Sequence, residues 1–463
     1  MAKKKGGFTG RIGFVLVAAG SAVGVGNIWR FPYLAAKDGG GLFLLVYLLL
    51  VLTFGFSLLA TDIIIGRKTR CSAPAAFASV RKGWGFLGKM TFAVPAIILP
   101  YYCVIGGWIL KYMCDYLVGR GGIAAQDGYF SAFIQSPAAP IVFMLVYMAL
   151  TAFVVYAGVE KGIERFSRIV MPALILIVAG IAVFSLTLSH TGADGVTRTG
   201  LQGLKVYLIP DFTGLTFSRF LQVLLDAMSQ LFFSLSVSMG IMVTYGSYVD
   251  SEVDLNKSVR QIELCDTGVA ILMGMMIIPA VYVFSGTEGM ASGPSLMFVS
   301  LPKVFESMGF VGSVVGLLFF VMVTFAALTS SVSIMETLVA SCMQAFGAGR
   351  KKVSLIVTGI ASVAAVLVCL GYNVLYFSVP LPNGSAGQLL DVMDYISNLF
   401  LMPIISLLTC IFIGWVVGPQ WAIDEVEVGG HTFSRKRMYA FMIRFAAPAL
   451  MLVLFLQSVG LLK

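Results

Sequence analysis

The chain has 463 residues, 59% hydrophobic and 11% charged, with a mean hydropathy of +0.94. A soluble domain carries about 25% charged residues, so lipid must cover what these polar residues cannot, and a soluble globular protein is excluded. The net charge of +9 comes without a basic face apart from the membrane flanks, which excludes a nucleic-acid-binding protein.

A membrane span needs roughly 20 apolar residues. Such runs fall at about 12–36, 41–66, 87–118, 139–157, 165–188, 219–247, 258–285, 310–346, 351–372, 390–417 and 438–461. An all-α polytopic membrane protein is therefore expected. Of the 31 Lys and Arg residues, 22 lie at the N-terminus or in the connections 2–3, 4–5, 6–7, 8–9 and 10–11. The positive-inside rule then puts the N-terminus in the cytoplasm and the C-terminus outside, as a multi-pass protein of the plasma (inner) membrane. The first apolar run is too long for a cleavable signal peptide, and no A-x-A-like site follows it. The seven cysteines lie mostly within spans, which argues against a disulfide framework. His190 and His431 fall on opposite sides, and neither a metal cluster, a phosphate-binding loop nor a nucleophile elbow is present. An enzyme is not expected.

The opening span reads "AAGSAVGVGNIWRFPYLAAKDGGG" over residues 18–41, with Gly20, Gly24 and Gly26 followed by Asn27, Arg30 and Pro32. Small residues in membrane helices commonly serve close packing. Here Asn27 and Arg30 join them, which favours a helix broken where it lines a cavity. Asp62 lies in the second span. At the inner start of the fifth, Gly162 and Pro172 are spaced either for an ordinary cap and kink or for local unwinding that admits water to an ion site. The sixth span, "DAMSQLFFSLSVSMGIM" over 226–242, crowds Ser229, Ser234, Ser236, Ser238 and Gly240 into its centre.

Spans 1 and 6 are separated by five helices, and so occupy matching places in two five-helix repeats. These cover about 12–188 and 219–417, with an extra helix at about 438–461, in one transmembrane domain. Interrupted spans in matching places point to the site of a secondary transporter. Freed carbonyls there can ligate a hard cation such as Na+, and freed N–H groups can hold a carboxylate. Ionisable groups within spans are costly and default to functional candidates. They are Asp62, Asp226, Asp266, Glu336 and Asp394. Asp266 reads as an anionic cation ligand or as a helix-end hydrogen bond. Ala326, Thr329 and Ser330 sit within one turn, and their hydroxyls either back-bond to that helix or complete a second oxygen-rich site. Arg30 either snorkels outward or pairs with Asp394. Residues 295–309 are expected to form a short helix over the outer face, or a packed loop.

At these residues the sequence resembles the neurotransmitter:sodium symporter family, especially its bacterial amino-acid transporters with the leucine-transporter fold. The matching motifs are "GSAVGVGNIWRFPYLAAKDGGG", "GVEKGIERFSRIVMP", "DAMSQLFFSLS" with "TYGSY", and "LTSSVSIM", in order along nearly the whole chain. The resemblance implies a 5+5 inverted-repeat leucine-transporter fold with an eleventh helix, spans 1 and 6 being unwound at mid-membrane. It implies a first sodium site at the Ala22 carbonyl, Asn27, Ser234 and Asp266. A second would use the Gly20, Val23 and Ala326 carbonyls with Thr329 and Ser330. The substrate would be lined by Ser21, Ala22, Gly24, Val25, Gly26, Ile98, Tyr102, Phe233, Ser234, Ser236, Met239, Ser330 and Ile334. The Tyr102 hydroxyl and the amides of span 1 would hold its carboxylate. Arg30 and Asp394 would form an outer gate, with Tyr102 and Phe233 capping the substrate.

Monoamine members of that family carry Asp where this chain has Gly24, so a complete amino acid is implied. The uncharged Ile98, Phe233, Met239 and Ile334 favour a hydrophobic L-amino acid, aliphatic or aromatic. Asp266 stands where many members have Asn, which implies independence from chloride. The usual inner Arg–Asp gate reads here as Lys5 and Gln344. The usual twelfth span is missing, so a monomer or a weak dimer is expected in the bilayer. The expected function is import of such an amino acid by alternating access, driven by one or two Na+. An amino-acid sensor with the same fold, or a symporter for another small zwitterion, is the alternative.

Overall fold

In the computed structural model, residues 7–192, 195–286, 289–290, 293–382 and 384–462 are described. Nine of their helices are continuous, and long and apolar enough to cross a membrane: Gly41–Thr69, Lys82–Leu117, Ala139–Tyr156, Val159–Thr187, Leu255–Ser285, Gly309–Phe346, Arg350–Leu370, Leu389–Val417 and Lys436–Ser458. A tenth crossing is the pair Arg11–Ala22 and Gly26–Lys37, bent by 57°. The sixth expected span is realised as Phe217–Ser234 and Ile241–Gly246, with irregular backbone over 235–240. The spans thus fall where hydropathy puts them, within a few residues.

Burial sorts them. The most apolar window of Lys82–Leu117 is 83% buried and that of Gly41–Thr69 is 72%, whereas those of Ala139–Tyr156, Arg350–Leu370 and Lys436–Ser458 are only 33% buried. The last three present most of their apolar surface outward, as lipid-facing helices do. Lys82–Leu117 packs along Gly309–Phe346, and Val159–Thr187 along Leu255–Ser285. Glycine sets the closest approaches. A Cβ on Gly66 would lie 1.9 Å from the Val243 carbonyl oxygen, and one on Gly246 would lie 2.3 Å from that of Ile63. Spans 2 and 6 therefore meet backbone to backbone, the arrangement that small residues permit in membranes.

The expected short outer helix is present as a π-helical turn, Leu296–Ser300, running into the α-helix Leu301–Ser307. The start of the fifth span is helical: a π-helical turn, Val159–Glu164, leads into Arg165–Thr187 with Pro172 inside it. A Cβ on Gly162 would lie 2.1 Å from the Val154 carbonyl oxygen. Gly162 thus has a packing reason to be glycine, and in this structure the Gly–Pro segment is wound, as the cap-and-kink reading has it.

Candidate functional site

The two broken spans cross at the centre of the fold and meet there. In span 1 the helix ends at Ala22, Val23 is extended, and the second half starts at Gly26. The N–H groups of Gly24 and Val25 donate to no backbone carbonyl, and the Val23 carbonyl accepts no backbone N–H, among the described residues. In span 6, Ser236, Ser238 and Gly240 all have positive φ, at 52°, 62° and 75°. The buried Asp62 carboxylate accepts the freed Ser238 N–H at 2.8 Å. The Ser236 and Ser330 hydroxyls each donate to the Ser21 carbonyl at 3.2 Å, which ties both breaks to span 8.

One cavity opens between these groups, about 30 Å³ in volume. Every residue expected to face the substrate lines it, from Ser21 to Ile334, together with Asn27 and Ile241. Ile241 was not foreseen. It is the first residue of the second helical part of span 6, directly after the left-handed N-cap Gly240. Its lining is of two kinds. Ile98, Met239, Ile241 and Ile334 are apolar, whereas the Tyr102 and Ser21 hydroxyls are buried without a hydrogen-bond partner. A Cβ on Gly24 would lie 3.0 Å from Ser330 Oγ and 3.5 Å from Tyr102 Oη, so a side chain there would fill the space beside these hydroxyls.

Beside the cavity, Asp266, Asn27 and Ser234 form a fully buried cluster. Asn27 Nδ2 donates to Asp266 Oδ1 at 3.0 Å. The Ser234 hydroxyl lies 2.8 and 3.0 Å from the two Asp266 oxygens and 3.1 Å from Asn27 Oδ1. Four oxygens from three elements thus converge, two of them on the Asp266 carboxylate. Hard cations take oxygen ligands of this kind, and these residues fit Na+ as cargo.

The second expected group is also brought together. The Thr329 hydroxyl bonds to the Ala326 carbonyl at 2.9 Å, and that of Ser330 to the same carbonyl at 3.2 Å. These are back-bonds within span 8, with the hydroxyls facing span 1: a Cβ on Gly20 would lie 3.3 Å from Thr329 Cβ.

Outward of the cavity, Phe233 separates it from a vestibule of about 490 Å³ that Arg30, Asp226 and Ser229 help to line. A Cβ on Gly26 would lie 2.6 Å from the Phe233 ring, so the ring rests on Gly26. The expected ion pair between Arg30 and Asp394 is not formed, and this is a correction. Arg30 donates to Ser229 Oγ at 2.6 Å. Asp394 instead accepts from Asn398 at 2.6 Å and from Tyr101 Oη at 3.1 Å. Each side chain is satisfied by a nearer neutral partner. The other intramembrane acids are also paired: Asp226 with Lys37 at 2.7 Å, and Glu336 with both Arg350 nitrogens at 2.5 and 2.8 Å.

On the inner side, Lys5 lies outside the described residues. Gln344 accepts from the Ser72 N–H and hydroxyl at 2.7 and 2.6 Å. The N-terminal segment is fastened elsewhere. The Thr9 N–H and hydroxyl both donate to the buried Glu164 carboxylate, which Arg168 also holds at 2.6 Å. Pattern reading missed this latch, since its residues lie 155 positions apart.

The fold and the paired breaks define a secondary transporter, and comparison with known proteins assigns its family. The model of the Sodium:neurotransmitter symporter family matches residues 5–120 and 130–463. An uncharacterized sodium-dependent transporter of Bacillus subtilis strain 168, YhdH, is 35% identical over 98% of this chain and 97% of its own length. A sodium-dependent transporter of Methanocaldococcus jannaschii, MJ1319, is 31% identical over 91% of this chain and 84% of its own. The crystal structure of MhsT in complex with L-phenylalanine superposes with a TM-score of 0.84 at 34% identity, covering 98% of this chain and all of that one. The chain belongs to the sodium:neurotransmitter symporter family. It is a multi-pass, sodium-dependent transporter with the leucine-transporter fold, and not an enzyme.

Proposed function

We propose that this protein imports a hydrophobic L-amino acid, aliphatic or aromatic, with one or two Na+ and without chloride. The reading is carried by one observation: a cavity at the junction of both breaks, lined by apolar side chains together with the unpartnered Tyr102 hydroxyl. An amino acid matches both kinds of lining. Its carboxylate would accept from Tyr102 and the free Gly24 and Val25 amides, and its side chain would enter among Ile98, Met239, Ile241 and Ile334. MhsT, solved with L-phenylalanine, shares 34% of its sequence with this chain and supports an aromatic guest.

Na+ would take the Asp266–Asn27–Ser234 oxygens and the Ala22 carbonyl, next to the substrate carboxylate. A second would take the Gly20, Val23 and Ala326 carbonyls with Thr329 and Ser330, displacing the two back-bonds. Asp266 supplies fixed negative charge beside the first ion, which removes the need for a bound anion. Each charge moved inward down the membrane potential is worth about 2.3 kcal/mol per 100 mV, which drives uptake. Spans 1, 2, 6 and 7 would rock against the rest, with the basic connections in the cytoplasm of an inner membrane.

The test is equilibrium binding of radiolabelled leucine, phenylalanine and tryptophan to the purified protein, in NaCl, KCl and sodium gluconate. Saturable binding in both sodium salts and not in KCl is expected. Equal binding in KCl would remove sodium coupling, and loss in gluconate would remove chloride independence.

A further inference from the structure

A second cavity, about 590 Å³, lies away from the transport path between spans 1, 2 and 7 and the connection before the last span. Arg11, Lys257, Arg260 and Arg435 line it, four cations from the start of span 1, the start of span 7 and the connection before the last span. We propose that this groove binds the headgroup of an anionic phospholipid, with the acyl chains lying along its apolar wall.

Arg435 is built into the site. It donates to the Leu52 carbonyl at 3.1 Å, lies 3.6 Å from Glu263 and stacks 4.8 Å from the centre of the Phe56 ring. Leu52 belongs to the π-helical turn Val51–Gly55 of span 2, a distortion common at functional sites. Lys257 is held by Asp254 at 3.7 Å. Among the described residues Arg11 and Arg260 make no hydrogen bond or ion pair, although Arg260 lies close enough to Glu263 to attract its carboxylate. Glu263 would repel an anion, but Arg435 stands against it. Two polar atoms in this wall are buried and unpartnered: Glu263 Oε1 and Thr267 Oγ1, on residues only 3% and 7% exposed. An acceptor and a donor left over beside four cations that outnumber the nearby carboxylates Asp254 and Glu263 suit a head that carries hydroxyls as well as a phosphate.

Charge alone would serve a soluble anion equally well. The remaining wall decides for lipid, since Leu52 is 48% and Leu264 72% exposed, toward the membrane. Basic pockets between membrane helices are the places where anionic headgroups settle.

The test uses the full-length protein, delipidated in neutral detergent, with lipid retention read by native mass spectrometry and melting followed in parallel. Phosphatidylglycerol should be retained and should raise the melting temperature, with phosphatidylcholine doing neither. Equal retention of both lipids would reduce the groove to an apolar slot and overturn the proposal. The same rise from glycerol phosphate or inorganic phosphate would assign the site to a soluble anion and overturn it too. The pair Arg11→Gln/Arg260→Gln should weaken phosphatidylglycerol binding about tenfold or more. Lys82→Gln/Lys89→Gln removes the same charge from exposed positions outside the groove and should change it less than twofold. Equal weakening by both pairs would mean general attraction in place of a site. The lipid comparison on the unaltered protein stands even if a variant fails to fold, and none of these readouts requires transport.

Discussion

The two broken spans solve one problem in opposite ways. In span 1 the interruption is three residues, 23–25, with Val23 extended, and neither Gly24 nor Gly26 takes a positive φ. Its glycines serve by leaving room: Gly24 for Ser330 and Tyr102, Gly26 for the Phe233 ring. In span 6 the conformations that suit glycine fall to Ser236 and Ser238 as well as Gly240. Non-glycine residues held at positive φ cost of order 1–3 kcal/mol each and persist only where their surroundings fix them. The surroundings are visible here, in Asp62 on the Ser238 N–H and the Ser21 carbonyl on the Ser236 hydroxyl. The first break is thus made by missing side chains, and the second by strained backbone held from outside. Glycine content marks the first as flexible and serine content marks the second as packing, yet the strain lies in the second.

The largest expected effect comes from removing what the breaks share. Asp266 takes hydrogen bonds from Asn27 in span 1 and from Ser234 in span 6. Asp266→Ala should weaken Na+-dependent amino-acid binding at least about a hundredfold, roughly 2.8 kcal/mol. Sodium titration against a fixed level of labelled phenylalanine reads this, and unchanged sodium dependence would take Asp266 out of the ion site. Next comes the prop of span 6. Asp62→Ala strands a buried N–H and should lower stability by about 1–3 kcal/mol. Asp62→Asn, which keeps an acceptor, should recover most of that loss in thermal melts. Equal loss in both would mean that charge matters here and not the acceptor.

Gly26→Ala tests whether room is what span 1 supplies. The added methyl must displace the Phe233 ring, and overpacking of this kind costs about 1–3 kcal/mol. Substrate affinity should fall about tenfold and the melting temperature should drop with it, and unaltered affinity would detach Phe233 from the substrate. The smallest effect runs the other way. Ser238→Gly should raise stability by about 1 kcal/mol or less by relieving the positive φ. A drop in melting temperature would show that the serine hydroxyl outweighs the strain.

Much of the site was legible because its residues lie in short segments. Gly20 to Asn27, Phe233 to Met239 and Ala326 to Ile334 each bring several lining groups within a turn or two, so recognising the segment is enough to find the residues. Pairings across the fold were not legible. Arg30 and Asp394 are opposite in charge and both lie near the outer ends of their helices, which is why pairing was expected. Ser229 and Asn398, at hydrogen-bonding distance, nonetheless satisfy them separately. Asp62 reads as one buried acid among five, and its task is apparent only once Ser238 N–H is seen without a helical partner.

The order and approximate limits of the continuous spans followed from the sequence alone, because lipid demands about 20 apolar residues wherever the chain crosses it. So did the place of both breaks, because polar and small residues at membrane depth have few other uses. Tertiary structure decided which acid meets which donor, that Gly162 is there for packing, that Ile241 lines the cavity, and that four distant cations share one groove. Those outcomes depend on distances of a few ångströms between residues tens to hundreds of positions apart, and local periodicity carries no information about them.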